Sequence, residues 1–426
     1  MIFSNKRTDA FGLVALTALL LAATASADRY SFEQGGHTKL NFLGTSFPGN
    51  SLFRDALGSN TFDLQGEFRL NLEWRHEGWA VDANYQLIGV DSEQLGITSG
   101  LPGAFDVFGR QLPNDDRRLM NLTDIVNESG DAAILQRLDR LWVGYTSDKL
   151  VTRFGRQALT WGNGFFYTPF DLVNPFDPSS IDTEYKAGDD MLYLQYLRGN
   201  GDDVQGAIVF RRDPVSGDVG SAQATAALKY HGLAGELGYN ALLADNYGDP
   251  VLGIGISRSI GGAVVSADLV LTKTDDDTYV ELVANTSYSW VLGGKNMSGV
   301  LEYFFSAFGL SEDYSTAALA ARPDLLVRIV RGQQFTLGRH YLASSVTVEM
   351  TPLWSLAPVL LANLEDPSAL LQLTSNYSLS NNMTLLGNIN IPLGPDGSEF
   401  GGPATAVPNE YLSTGLAVFA QFAWYF

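Results

Sequence analysis

The chain has 426 residues and a formal charge of -20, with 45% hydrophobic and 12% aromatic residues and no cysteine. That balance excludes general electrostatic attraction to nucleic acid, a disulfide framework, thiolate metal sites and a disordered polymer. Mean hydropathy is +0.00, and beyond the N-terminus no long apolar run offers a spanning helix.

The N-terminus reads as an export signal. Lys6 and Arg7 precede an apolar run over 11–23, followed by Ala25, Ser26 and Ala27. A positive region, a short apolar core and a small-residue cleavage site make 1–27 a secretory signal peptide. Residues 28–426 are then expected to form a single domain.

Alternating segments follow, separated by Gly, Asn, Asp and Pro. In 62–75, Phe62, Leu64, Phe68, Leu70, Leu72 and Trp74 alternate with Asp63, Gln65, Glu67, Arg69, Asn71, Glu73 and Arg75. Only a pleated strand sorts these sets onto two faces. The same reading predicts strands over 37–46, 62–75, 79–90, 134–145, 150–161, 189–198, 204–212, 223–231 and 233–243. It continues over 250–259, 263–272, 278–290, 297–308, 333–350, 354–363, 369–378, 383–392 and 411–426.

The links sort by length. Tight ones at 76–78, 146–149, 199–203, 232, 260–262, 291–296, 351–353 and 379–382 alternate with longer ones. The long links are 47–61, 91–133, 163–188, 213–222, 309–332 and 393–410, with medium ones at 244–249, 273–277 and 364–368. Strict rotation of two turn classes is expected of an outer-membrane barrel with short periplasmic turns and long external loops. The chain ends on Phe422, Trp424, Tyr425 and Phe426, where a soluble protein is usually polar. In hydrocarbon, strands span only as a closed cylinder, so this last strand closes against the first and sets aromatics at the interface. The fold class is therefore all-β: a transmembrane antiparallel β-barrel of about eighteen strands (sixteen is the neighbouring count), wide enough for an aqueous channel.

Polar faces of the early strands supply candidate pore-lining residues: Glu67, Arg69, Glu73, Arg75 and Asp82, then Arg137, Asp139, Arg140, Arg153 and Arg156. For strands near 134–161, each register puts a charge on the lipid face. The charges read either as a field that selects solutes or as pairs bracing the wall. The loop over 163–190 carries Phe165, Phe166, Tyr167, Phe170 and Phe176 with three prolines ahead of Ser179. Such a loop is stiff, and its aromatics either line an eyelet or pack together. Residues 91–133 are long enough for a lid. Residues 313–331 are the one helical loop candidate, with Asp324 as a cap and a plug or partner contact as a candidate role; the alternative is that the fourteenth strand starts early. Asp115-Asp116, Asp189-Asp190 and Asp275-Asp276-Asp277 read as solvated loop charge, without calcium-loop spacing.

Four histidines, His37, His76, His231 and His340, leave little for catalysis. His76 and His231 are placed in tight turns, and Ser344 lies about 13 Å along the strand from His340. No nucleophile elbow, phosphate loop or zinc motif occurs, so neither catalytic site, cofactor nor metal is expected.

Two resemblances attach to these residues. The terminal alternation ending in Phe426 resembles the C-terminal signature of bacterial outer-membrane proteins, which implies the barrel-insertion machinery as a partner. The run Gly155-Arg156-Gln157 followed by Trp161-Gly162 resembles alginate-export-type barrels and several proteobacterial outer-membrane families. That resemblance implies an eighteen-stranded barrel and makes Arg153 and Arg156 the first pore-wall candidates. By architecture the mature chain resembles porins, whose loop at 163–188 would be the inward constriction loop.

The reading is an outer-membrane porin or substrate-selective channel for passive diffusion of small solutes, with anionic groups as a candidate feature. A nonconducting structural, assembly or export component is the alternative, and a barrel hydrolase is third. Membrane lipid and lipopolysaccharide are the expected surroundings.

Overall fold

In the computed structural model, residues 30–95 and 112–426 are described. The signal-peptide reading of 1–27 lies outside the described residues. The remainder is one antiparallel sheet closed on itself.

Chain order begins with β1 (Ser31–Ser46), α1 (Leu52–Leu57), β2 (Asn60–His76), β3 (Trp79–Asp91), β4 (Thr123–Ser129) and β5 (Ala132–Thr146). There follow β6 (Leu150–Gln157), β7 (Asp189–Leu197), β8 (Asp203–Val209), β9 (Thr225–Ala234), β10 (Leu237–Asn246) and β11 (Asp249–Ile260). Next come β12 (Ala263–Lys273), β13 (Thr278–Leu292), β14 (Lys295–Ser306), α2 (Thr316–Ala320) and α3 (Pro323–Val330). The chain closes with β15 (His340–Thr351), β16 (Trp354–Asn363), β17 (Ala369–Ser380), β18 (Met383–Leu393) and β19 (Ala417–Tyr425).

Each wall strand pairs with its neighbours in sequence, and β1 pairs with both β2 and β19. Closure leaves no sheet edge to hydrogen-bond with lipid, where no water is available. The nineteen strands fill eighteen wall positions, because β4 shares a position with another strand. Alternation sets the two faces. Phe62, Leu64, Phe68, Leu252, Ile254, Ile256 and Phe422 are exposed on the outside, as a lipid-facing band requires. Trp79, Tyr196, Tyr288, Tyr377, Trp424 and Phe426 are exposed near the short-turn rim, forming an aromatic girdle. Phe426 N and O exchange 3.0 Å bonds with Gly36, and its ring stacks on Phe68 at 5.9 Å. The aromatic C-terminus is thus part of the barrel seam.

The short turns follow their backbone chemistry. Gly261-Gly262 and Gly293-Gly294 all have positive φ, between 58° and 87°, which two-residue primed turns demand. Several boundaries differ from the sequence reading. The turn expected at 232 falls at 235–236, so His231 lies within β9; His76 ends β2 beside its turn. The strand expected from 333 begins at His340, because 333–339 runs beside Gly309 and Leu310 across the mouth. The strand expected from 411 begins at Ala417; Tyr411 and Leu412 bond instead to Asn50 and Pro403.

One sector of the wall is unusual. β6, β7 and β8 run for eight, nine and seven residues, at or below the ~9–11 a tilted strand needs to span. β6 covers only the lower half of β5, pairing Leu141–Thr146. The upper half, Ala132–Arg137, is covered by β4, and the preceding segment reaches the chain just beyond β8 through an Arg118–Arg211 bridge. The described part of the 91–133 connection therefore builds wall rather than a lid. This frees the chain after Gln157 to leave the sheet and enter the barrel.

Candidate functional site

The connection 158–188 threads the lumen and is anchored around its circumference. Trp161 Nε1 donates to Gln205 on β8 at 2.7 Å. Asn163 bonds Asp268 on β12 through its backbone N and its side chain, both at 2.6 Å. On β14, the fully buried Glu302 carboxylate accepts the backbone N–H groups of Phe165, Phe166 and Tyr167 at 2.6, 3.0 and 2.7 Å. Gln372 on β17 donates to Ser179 O at 2.8 Å. Asp182 then accepts from Gln421 on β19 and Lys39 on β1 at 2.8 and 2.6 Å. Tyr185 lies 3.9 Å from the Arg69 guanidinium of β2, and Arg140 of β5 bonds Lys186 O. Buried backbone groups need partners: the inward carboxylates of Asp268 and Glu302 accept loop N–H groups, and Gln372 and Arg140 donate to loop carbonyls. Within the loop Lys186 pairs with Asp171; burial pushes the carboxyl up and the amine down, and their contact opposes both shifts.

The five loop aromatics divide by role. Phe170 is fully buried against Leu242, Val251 and Val270 on the wall, beside Gly253, where a Cβ would meet its ring at 2.8 Å. Tyr167 stacks on Phe304 at 4.5 Å and packs on Tyr341. Phe166 and Phe176 are half-buried. Phe165 is 54% exposed and is the aromatic left facing the lumen.

The charged candidates divide too. Glu67, Arg69, Glu73 and Arg75 share the inner face of β2, and Glu73 is directly opposite Asp82 on β3. The ambiguity of the 134–145 strand is resolved by a β-bulge: Asn84 pairs with Arg140 while Tyr85 pairs with Leu138, leaving Asp139 extra. One extra residue flips the alternation, so Arg137, Asp139, Arg140 and Trp142 all point inward. The buried Asp139 accepts from Arg69 at 2.6 Å, Arg137 at 2.6 Å and Arg140 at 2.8 Å.

Arg153 is half-exposed inside the barrel, 4.9 Å over Trp142. Arg156 is fully buried. It pairs with Asp190 at 2.9 Å and Asp115 at 2.8 Å, and donates to Met120 O at 2.6 Å. It therefore stitches the substituted wall sector and does not reach the lumen. Asp115, Asp189 and Asp190 are correspondingly buried, with Asp189 on Arg211 at 2.8 Å; Asp116 and the Asp275–Asp277 run are exposed. Among the described residues no cluster suited to a metal ion occurs.

At the mouth, α2 and α3 bury Leu319 and Leu325 against Phe308, Leu310 and Leu337, and Arg328 pairs with Glu281 of β13 at 3.0 Å. Asp324 sits in the first turn of α3 and accepts from Thr274 Oγ1; the N-cap position belongs to Arg322. His340 faces Tyr303 at 2.7 Å and Glu365 at 4.0 Å. His37 bonds Glu67 at 3.2 Å.

Beside the loop, two cavities among the described residues are stacked along β1–β3. The upper, about 590 Å³, is lined by Lys39, Asn41, Asp63, Gln65, Glu67 and Phe419 on the wall and Asp182 and Tyr185 on the loop. The lower, about 910 Å³, is lined by Glu73, Arg75, Asp82, Trp142 and Arg153. Arg69, between these levels on β2, is 1% exposed under Tyr185 and forms the septum between them.

The residues missed by sequence reasoning are those that hold the loop: Glu302, Asp268, Gln372, Lys39, Asp182, Glu184 and Tyr185. For the wall residues Glu302 and Asp268 the one signal is a carboxylate at an inward position flanked by apolar residues, as with Glu302 between Leu301 and Tyr303.

No family model and no curated protein sequence matches the chain. Solved structures do match in fold. OccAB2 of Acinetobacter baumannii has a TM-score of 0.52 at 10% identity, over 93% of this chain and 98% of that one. OccD3 of Pseudomonas aeruginosa gives 0.51 at 8% identity, over 95% and 93%. A BenF-like porin from Pseudomonas fluorescens gives 0.50 at 9% identity, over 92% and 98%. The chain thus has the closed antiparallel barrel of these proteins along almost its entire length.

Proposed function

We propose that the protein is a bacterial outer-membrane channel, a porin for passive diffusion of small polar solutes, with 158–188 as its constriction loop. The observation that carries this reading is the loop itself. A strand leaves the wall, the hole is filled by another segment, and the displaced chain is tied across the lumen while cavities persist beside it. A barrel with a merely structural role has no need for that arrangement. An N-terminal signal peptide cleaved after Ala27, a lipid and lipopolysaccharide environment, and insertion-machinery recognition of the Phe426 terminus belong to the same reading.

The arginines that suggested an anionic solute are mostly buried in ion pairs and do not face solvent: Arg69, Arg137 and Arg140 converge on Asp139, and Arg156 lies between Asp115 and Asp190. Lys39 faces two carboxylates, Asp182 and Glu184, at 2.6 and 2.8 Å. The cavities retain Asp63, Glu67, Glu73 and Asp82, against Arg75 and Arg153, so the solvated field favours cations. Reconstitution into planar bilayers tests the function. The expected result is stepwise conductance in KCl with a cation-preferring reversal potential.

A second reading, a nonconducting component, has one observation in its favour: the stacked Tyr185 and Arg69 narrow the lumen between the cavities. Persistent electrical silence of correctly folded barrel would establish it over the channel.

A further inference from the structure

The upper cavity has a lining more specific than a water-filled pore requires. On the channel reading, we propose that it is a binding subsite for a neutral polyhydroxylated solute of the saccharide type.

Its volume, about 590 Å³, falls within the range of small-molecule sites, roughly 300–1,000 Å³. Its polar groups come in both hydrogen-bonding senses. Asp63 and Glu67 only accept, whereas Asn41, Gln65 and Gln94 both donate and accept. A hydroxyl group does both, so a ring carrying several hydroxyls can match this mixture in many orientations.

The cavity also has an apolar side. Phe419 of β19, Leu43 of β1 and Ile181 of the loop face the polar residues of β2 and β3. An aromatic face opposite carboxylates and amides suits a molecule with one C–H surface and a hydroxylated rim. Other solute classes fit less well. An anion meets Asp63, Glu67 and Asp182 together. A compact cation gains nothing from Leu43, Ile181 and Phe419, and competes with Lys39. An apolar solute strips water from the carboxylates.

The floor is fixed. Tyr185 lies on Arg69, and the loop is fastened to β1 and β19 by Lys39–Asp182, Lys39–Glu184 and Tyr425–Glu184. A solute entering from the mouth rests above this contact.

The test uses the full-length barrel in planar bilayers with KCl and added glucose, sucrose or raffinose; putrescine and glutamate are the charged controls. Sucrose is expected to produce concentration-dependent current interruptions. Phe419→Ala should weaken its apparent affinity by up to roughly tenfold, the worth of one aromatic face, and Ser287→Ala on the opposite wall should not. A conducting channel uninterrupted by any sugar, blocked only by putrescine or glutamate, or indifferent to Phe419→Ala overturns the subsite and leaves the channel standing. A barrel silent in KCl overturns the channel. Titration calorimetry of sucrose into the detergent-solubilised barrel then decides the subsite: a saturable heat reduced in Phe419→Ala upholds it, and no heat removes it.

Discussion

The two halves of the inner wall use charge in opposite ways. From β1 to β7 the lumen carries many ionised groups, and most are matched to one another: Asp139 with three arginines, Arg156 with two aspartates, Asp189 with Arg211. From β11 to β18 the inner face is largely hydroxyl and amide, with Ser266, Asn285, Ser287, Ser298, Ser345, Gln372, Thr374 and Asn388. Its few carboxylates take loop groups instead. Glu302 and Asp268 hold backbone N–H groups of 163–167, and Glu281 holds Arg328 of α3. One half braces a wall from which a strand has been withdrawn; the other receives the chain that was withdrawn. Charge density along the sequence is therefore a poor guide to selectivity here, since burying a charge requires a partner.

The contrast is tested most severely at Arg156. Arg156→Ala leaves Asp190 buried without its cation and Asp115 with Arg118 alone, a loss of about 3–5 kcal/mol for a broken buried pair. Arg153→Ala removes a half-exposed side chain, and stability should change by no more than about 1 kcal/mol, while the reversal potential moves further toward cations. Thermal unfolding in detergent, read beside ion selectivity, separates the two. Equal melting behaviour would abolish the distinction between stitching and lining arginines. Next in size is Glu302→Ala, which strips the acceptor from three backbone donors, each worth roughly 1–3 kcal/mol when left buried and unsatisfied. The loop should detach, with higher and noisier conductance and new protease cleavage near 163–170. Ser298→Ala, on the same inner face of β14, is expected to do neither.

These roles mark where sequence reasoning stops. Eighteen wall strands and the rotation of short and long links were legible, because each strand lies between lipid and water and the pleat must sort its residues by solvent. Phe426 was legible for the same reason. β4 was not: residues 123–129 complete a wall that β6 abandons, and the need for them exists only in three dimensions. The Asp139 bulge was visible as a contradiction, a charge on the wrong face in either register, but one extra residue cannot be located without its partner strand. Arg153 and Arg156 look equivalent in sequence, yet an odd spacing along a strand parts them, and the cover over Arg156 comes from residues 115–120. For the loop, its stiffness and aromatics were apparent. Its anchors were not, because Glu302 lies far along the chain and alone.

Smaller effects bear on the openings of the lumen. Tyr185→Ala removes the septum between the cavities and should raise conductance by roughly twofold through a wider constriction, with the Arg69–Asp139 pair and barrel stability retained. A conductance equal to that of the unaltered channel would place the narrowest point elsewhere.

The mildest effect concerns pH at the mouth. Glu399, in the loop after β18, accepts Leu337 N and Asn363 Nδ2, both at 2.7 Å, and the Tyr341 hydroxyl. It thereby clasps this loop to the 307–339 segment. Burial pushes its carboxyl from the ordinary 4.5 up to about 7, against the pull of those hydrogen bonds. A raised carboxyl pKa means that the clasped state holds its proton more tightly than the released state. The contribution is therefore complete below about pH 4.5, declines as pH rises, and is lost through pH 7. Loop-gating events in bilayer recordings should accordingly become more frequent between pH 5 and pH 8. Glu399→Gln, neutral throughout and still able to accept, should flatten that dependence; a pH profile unchanged by the substitution would assign the titration to another group.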